Sequence, residues 1–244
     1  VFLWKTLVNI GIISLLLPIN PAPVKATEEL VQQEDNQNAI DQYTQAIALN
    51  PNSALVYNNR GSAYLKLQQY RNALTDYNKA IELDPNLANA HHGRGTAYLN
   101  LKQYENALAD YNKALQLNPE LTQAYYGRGT AYTYLQQYQN ALDDYNKAIE
   151  LDPNLANAYH GRGSAYVNLK QYENALADYN KALQLNPDYA IVYSNRGVAY
   201  LNLKQYKNAI ADFNKATQLF CQQGSSDDCQ KAREYLRQIQ TESR

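Results

Sequence analysis

Apolar positions along this chain follow helical periods that restart at fixed intervals. Between Ala90 and Leu101, the residues His91, Arg94, Gly95 and Tyr98 fall at i, i+3, i+4 and i+7, which is one face of a helix. Between Tyr104 and Leu117, Ala107, Leu108, Tyr111, Ala114 and Leu115 fall at i, i+1, i+4, i+7 and i+8, the apolar stripe of a second helix. The linking Asn100-Leu101-Lys102-Gln103 has room only for a tight antiparallel turn. Gly95 and Ala107 carry almost no side chain, so the two helices can approach closely, with Tyr98 and Tyr111 filling the space on either side. Pro51, Pro85, Pro119, Pro153 and Pro187 recur every 34 residues, each just after an apolar helical run. A proline lacks an N–H and pushes the preceding residue out of the α region, so each one ends a helix. A period of this size means stacked copies of one small unit, and each copy needs a neighbour to bury its remaining apolar face.

Five units share the same slots. Each has a glycine (Gly61, Gly95, Gly129, Gly163, Gly197) and a tyrosine three residues later (Tyr64, Tyr98, Tyr132, Tyr166, Tyr200). Each has a helix-crossing alanine (Ala73, Ala107, Ala141, Ala175, Ala209), then an aromatic (Tyr77, Tyr111, Tyr145, Tyr179, Phe213) and a further alanine (Ala80, Ala114, Ala148, Ala182, Ala216). In these slots the chain resembles the tetratricopeptide repeat over about residues 36–223. The resemblance implies an all-α, right-handed α-solenoid of helix-turn-helix units at 54–87, 88–121, 122–155, 156–189 and 190–223, here numbered one to five. In unit five Cys221 stands where proline is expected, so its second helix is expected to run on.

Arg60, Arg94, Arg128, Arg162 and Arg196 precede the glycines, and Asp76, Asp110, Asp144, Asp178 and Asp212 follow sixteen residues later. Their joint recurrence predicts a structural Arg–Asp pair between the helices of each unit rather than five catalytic sites. Units two and four differ at only five of 34 positions (91/159, 96/164, 99/167, 120/188 and 121/189), so a pair of units was copied.

The ends differ in kind. In residues 1–26, Lys5 precedes an apolar run from Thr6 to Leu17, followed by Pro-Ile-Asn-Pro and Val24-Lys25-Ala26. This reads as a signal peptide cleaved after Ala26, with an uncleaved membrane anchor as the alternative, although the run is shorter than the roughly 20 residues that span a bilayer. The expected destination is an exported compartment: periplasm, lumen or exterior. Formal charge is −1, and −3 without Lys5 and Lys25, so there is no basic field for nucleic acid. Residues 27–53 read as a partial unit, with Ala39, Tyr43, Ala46 and Pro51 in second-helix slots and Thr27–Asp35 as a frayed first helix. At 224–244, Asp227 with Gln230 reads as a capping box, and Ala232, Tyr235, Leu236 and Ile239 form one face of a capping helix. Cys221 and Cys229 bracket the preceding loop, and export would let them form a disulfide.

Candidate chemistry is sparse. His91 occupies a slot that holds tyrosine elsewhere and reads as packing. His92 and His160 share one slot two units apart, roughly 16–20 Å at usual helix spacing, too far for one metal ion. The Gly-Arg-Gly triplets at 93–95, 127–129 and 161–163 lie within helical pattern, outside any strand-to-helix phosphate loop. An enzyme, a metal and a cofactor are therefore not expected. The tetratricopeptide resemblance implies a concave face lined by first helices, and it maps the lining slots to Asn58, Ser62 and Lys66; His92, Thr96 and Asn100; Tyr126, Thr130 and Tyr134; His160, Ser164 and Asn168; and Ser194, Val198 and Asn202. Asn59 and Asn195 match a slot where some relatives grip a carboxylate, but the accompanying lysines and arginines are missing. The expected function is a non-enzymatic scaffold or assembly factor that holds a protein or peptide in a neutral polar and aromatic groove centred on Tyr126 and Tyr134. The alternatives are a self-associating structural protein of the cell envelope and a recognition arm for a separate enzyme.

Overall fold

The computed structural model describes residues 24–242, with side chains placed from Gln32 to Arg237 except Ser226. The described residues form twelve helices and no strand. α1 spans Val24–Leu49. Each predicted unit then holds one helix pair: α2 (Ala54–Lys66) and α3 (Tyr70–Leu83), α4 (Ala88–Asn100) and α5 (Tyr104–Leu117), α6 (Thr122–Tyr134) and α7 (Tyr138–Leu151), α8 (Ala156–Asn168) and α9 (Tyr172–Leu185), α10 (Ala190–Asn202) and α11 (Tyr206–Gln222). α12 (Ser226–Glu242) closes the stack.

Size complementarity sets the packing. The crossing alanines and the later alanines of all five units are fully buried, and the aromatic between them is at most 2% exposed. The Gly-Arg-Gly triplets have their explanation here. A Cβ on Gly95 would lie 3.0 Å from the Tyr111 ring of its own unit, and one on Gly93 would lie 2.3 Å from the Tyr77 ring of the unit before. Tyr77, Tyr111 and Tyr145 are thus each clasped by two glycines from successive first helices, whereas Tyr179 meets Gly163 alone, because Asn195 stands where the second glycine would be. The buried phenols are hydrogen-bonded: Tyr77 to Ser62, Tyr111 to Thr96, Tyr145 to Thr130 and Thr133, and Tyr179 to Ser164, at 3.1–3.3 Å. Unit five changes both partners together, with Phe213 against the cluster that includes Val198, so neither side brings a hydroxyl.

The predicted Arg–Asp pair is present in every unit and is more than a pair. Arg128 donates from Nε and Nη2 to both carboxylate oxygens of Asp144, at 2.8 and 2.6 Å, and from Nη1 to Asn112 of the preceding unit at 2.6 Å. Arg94, Arg162 and Arg196 repeat this with Asn78, Asn146 and Asn180, and Arg60 uses Thr44 of α1. The carboxylates are 3–5% exposed. Each arginine therefore ties its own helix pair to the unit before it.

Turns are equally regular. Within units, Gln68, Lys102, Gln136, Lys170 and Lys204 adopt φ of 58–61°, the left-handed conformation that lets the chain reverse after a leucine cap. Between units, Asn or Asp before each proline accepts from the backbone two residues on, as with Asp84 and Asn86 N.

Three expectations at the ends are corrected. Residues 27–35 do not form a separate first helix, because α1 is one continuous helix of 26 residues. Where other units turn at Leu-Lys-Gln or Leu-Gln-Gln, this segment has Gln33-Glu34-Asp35, with no leucine to seat a turn. The last helix begins at Ser226, so Asp227 lies inside its first turn rather than capping it, where its charge suits the positive helix end. Tyr235, on the expected buried face, is 45% exposed and stacks on Phe213 at 5.4 Å, while Ala232 and Leu236 pack inward. Ile239 and the segment 1–23 lie outside the described side chains, and the predicted cleavage point after Ala26 falls within the first turn of α1. α11 does run on, to Gln222, and Cys221 is bonded to Cys229 with Cα atoms 5.2 Å apart.

Candidate functional site

First helices of successive units pack directly on one another, α2 on α4, α4 on α6, α6 on α8 and α8 on α10, whereas second helices are not paired this way. The first helices therefore form the inner wall of the curve, and their free faces are the candidate site.

The lining positions divide by what holds them. Ser62, Thr96, Thr130 and Ser164 are partly buried partners of the core phenols, so their hydroxyls serve the fold. Thr96, Thr130 and Ser164 also donate to the carbonyls of His92, Tyr126 and His160 one turn back, at 2.9–3.0 Å. Asn58 is 8% exposed; its Nδ2 donates to Asn59 and its Oδ1 has no hydrogen-bond partner among the described residues. His92, Tyr126 and His160 lie over the core rings of Tyr111, Tyr145 and Tyr179, with centroids 5.9–6.2 Å apart. Asn100, Asn168 and Asn202 are exposed, and each donates from Nδ2 to the carbonyl four residues back at 2.8–2.9 Å. Tyr134 is 60% exposed and stacks on Tyr104 with centroids 4.9 Å apart.

Tyr126 and Tyr134 are within electrostatic reach of each other, and both act on the buried Tyr145 phenol. They sit two turns apart on α6, about 12 Å along its axis. Tyr126 is also within electrostatic reach of Tyr189, which is grouped with His160 and Asn195. The rings of His160 and Tyr189 are 5.3 Å apart, Tyr189 Oη donates to Asn157 at 2.8 Å, and Asn195 Nδ2 lies 2.9 Å from His160 Nε2. Beside them a cleft of about 170 Å³ opens between α8 and α10, lined by Ser164, Val167, Asn168, Tyr179, Asn195 and Val198. Tyr189, Asn157 and Tyr104 escaped the sequence reading. The signal for Tyr189 was its departure from the leucine of the same slot in other units, Leu87, Leu121 and Leu155. Asn195 replaces the small glycine of the triplet, and its amide turns into the groove to His160.

Burial sets the ionisation of this face. It lowers His160 to about 4 and lowers His92, and it raises Tyr189 to about 12. At neutral pH the cluster carries no charge. A histidine that is neutral when folded makes stability fall as pH drops from about 6.5, where the unfolded imidazole takes its proton, toward 4, where the folded one follows. The wild type should therefore lose up to about 1.4 kcal/mol per pH unit through His160 between pH 6.5 and 5. His160→Gln should lose less over the same window in urea titrations, and parallel losses would contradict this reading.

Comparison with known proteins agrees with the geometry. Models described as TPR repeat match residues 28–68, 61–102 and 163–204, and models described as tetratricopeptide repeat match 88–121, 122–155, 190–220 and 144–177. No curated protein matches the chain. Among solved structures, YrrB, described as a TPR protein with an unusual peptide-binding site, is 28% identical, with 79% of this chain and 97% of that one covered and a TM-score of 0.60. MamA from Desulfovibrio magneticus RS-1 is 26% identical, with 68% and 94% covered and a TM-score of 0.61. The Cut9–Hcn1 assembly of the APC/C, at 18% identity, 86% and 40% coverage and a TM-score of 0.74, shares the fold. With the repeat models running unbroken from residue 28 to 220 over helix pairs of this geometry, the chain belongs to the tetratricopeptide-repeat family.

Proposed function

We propose that the protein is a non-enzymatic scaffold that holds an extended segment of another protein along the inner wall of its first helices. The observation that carries this reading is the arrangement of half-buried rings and exposed amides along the first helices from α4 to α10, held in place by hydrogen bonds within the protein. Such a surface is preformed, so binding orders few side chains. YrrB, similar over most of its length, is described as having a peptide-binding site. Export to an oxidising compartment is part of the proposal; it accords with the Cys221–Cys229 bond and predicts a mature amino terminus at Thr27 in mass spectra.

The test is capture of partners by the wild type and by Tyr134→Ala combined with Tyr126→His. His is native to the Tyr126 slot at positions 92 and 160, and Tyr134 is exposed, so the double variant should keep its helicity. Loss of the specifically captured partner is expected, by tenfold or more in affinity if the rings act as anchors. Equal binding would contradict the inner-wall site.

One observation favours self-association as a second reading. Ala39, Tyr43 and Ala46 occupy slots that are fully closed in complete units but only half-buried on α1, and Leu49 beside them is 88% exposed. A second copy could cover this stripe. Light scattering that shows a monomer at every concentration would reject that reading.

A further inference from the structure

The donors of the inner wall are largely engaged by its own acceptors. The hydroxyls of Thr96, Thr130 and Ser164 donate to backbone carbonyls. One N–H of each amide at Asn100, Asn168 and Asn202 does the same. Tyr189 donates to Asn157 and Tyr138 donates to Asn168. Asn195 Nδ2 lies 2.9 Å from His160 Nε2, and with the amide donating, Nε2 accepts and the neutral ring carries its proton on Nδ1. What the wall offers a ligand is therefore lone pairs and aromatic faces, both electron-rich, beside the second N–H of each of these amides. The lining positions carry one formal charge, Lys66, at the far end from the aromatic cluster. The exposed carboxylate of Asp188 directly precedes Tyr189, and that of Glu120 precedes α6, which carries Tyr126.

We infer that the cluster of Tyr126, His160, Tyr189 and Asn195 receives an arginine or lysine side chain of the bound segment, so that the groove selects basic peptides and discriminates against acidic ones. A guanidinium or ammonium group can lie against the tyrosine faces while its N–H groups meet amide and phenol oxygens. A carboxylate would find no cation there and would face the electron-rich rings, losing hydration that the few remaining N–H groups replace only in part. This rests on the inner-wall reading of the preceding section and adds the chemistry of the occupant.

The experiment uses the full chain and three fluorescently labelled Gly/Ser peptides that differ only in carrying arginine, citrulline or glutamate at the same alternate positions. Citrulline keeps the shape of arginine and removes its charge. The arginine peptide should bind roughly tenfold more tightly than the citrulline peptide in anisotropy titrations, and the glutamate peptide should bind most weakly. Tyr189→Leu restores the residue that Leu121 places in this slot, so the fold accepts it, and it should abolish the preference for arginine. Equal or tighter binding of the citrulline or glutamate peptide, no detectable arginine binding, or an unchanged preference in Tyr189→Leu would each overturn the inference. Amide shifts in nuclear magnetic resonance separate the two failures. Shifts on α6, α8 and α10 without arginine preference overturn the inference alone, whereas shifts confined to other helices remove the inner-wall site as well.

Discussion

Asp144→Ala is expected to destabilise the protein by about 3–5 kcal/mol, the range for removing one partner of a buried ion pair. The carboxylate is 5% exposed and accepts both bonds of a forked guanidinium, so its loss leaves Arg128 facing no anion. Arg128 also holds Asn112 of unit two, and the damage should therefore cross a unit boundary. In a linear array, stability is a sum of units and their interfaces, so a break at the centre should split one urea transition into two. Asp144→Asn, which keeps one acceptor, should recover part of the loss. Binding at the inner wall should survive at temperatures where the variant is folded. A single transition within about 1 kcal/mol of the wild type would show that the clasp is not needed for stability.

Tyr111→Ala should cost a similar amount, about 3–5 kcal/mol, since it removes a fully buried ring from between two glycines. The more informative result comes from its neighbour. A Cβ on Gly127 would stand 2.5 Å from Tyr111 Cζ and 2.7 Å from Oη, so Gly127→Ala alone should cost about 1–3 kcal/mol by overpacking. With Tyr111 already replaced by Ala, the clash is gone and the helix preference of alanine over glycine remains. Gly127→Ala should then stabilise by up to about 1 kcal/mol. That reversal of sign, read from a double-mutant cycle in urea, tests whether the glycines are there to admit the ring. The same sign in both backgrounds would mean that they serve some other purpose.

The repeat and its core were legible because they are dictated by spacing: proline every 34 residues, alanine and glycine where helices cross, and tyrosine between them. The arginine–aspartate pair was legible for the same reason. The asparagine that completes each clasp was not, because Asn78, Asn112, Asn146 and Asn180 belong to the preceding unit and only stacking brings them near. The site was legible by helix but only in part by grouping. Slots on one helix predicted Tyr126 with Tyr134, and stacking of the units adds Tyr189, from the loop before α10, with the His160 ring against it. Thr96, Thr130 and Ser164 looked free in the sequence because their partners, the core phenols, lie on the neighbouring helix. At the amino terminus, a missing turn leucine outweighed the repeat pattern and left α1 as one helix.

The account rests most directly on which wall of the solenoid meets the partner. A photoreactive phenylalanine placed at Tyr134 on the inner wall, or at Glu150 on α7 away from it, would decide this in the same native extract. The inner probe should cross-link to a discrete partner in competition with excess unlabelled protein, and the outer probe should not. Specific cross-linking from position 150 with none from 134 would contradict the account.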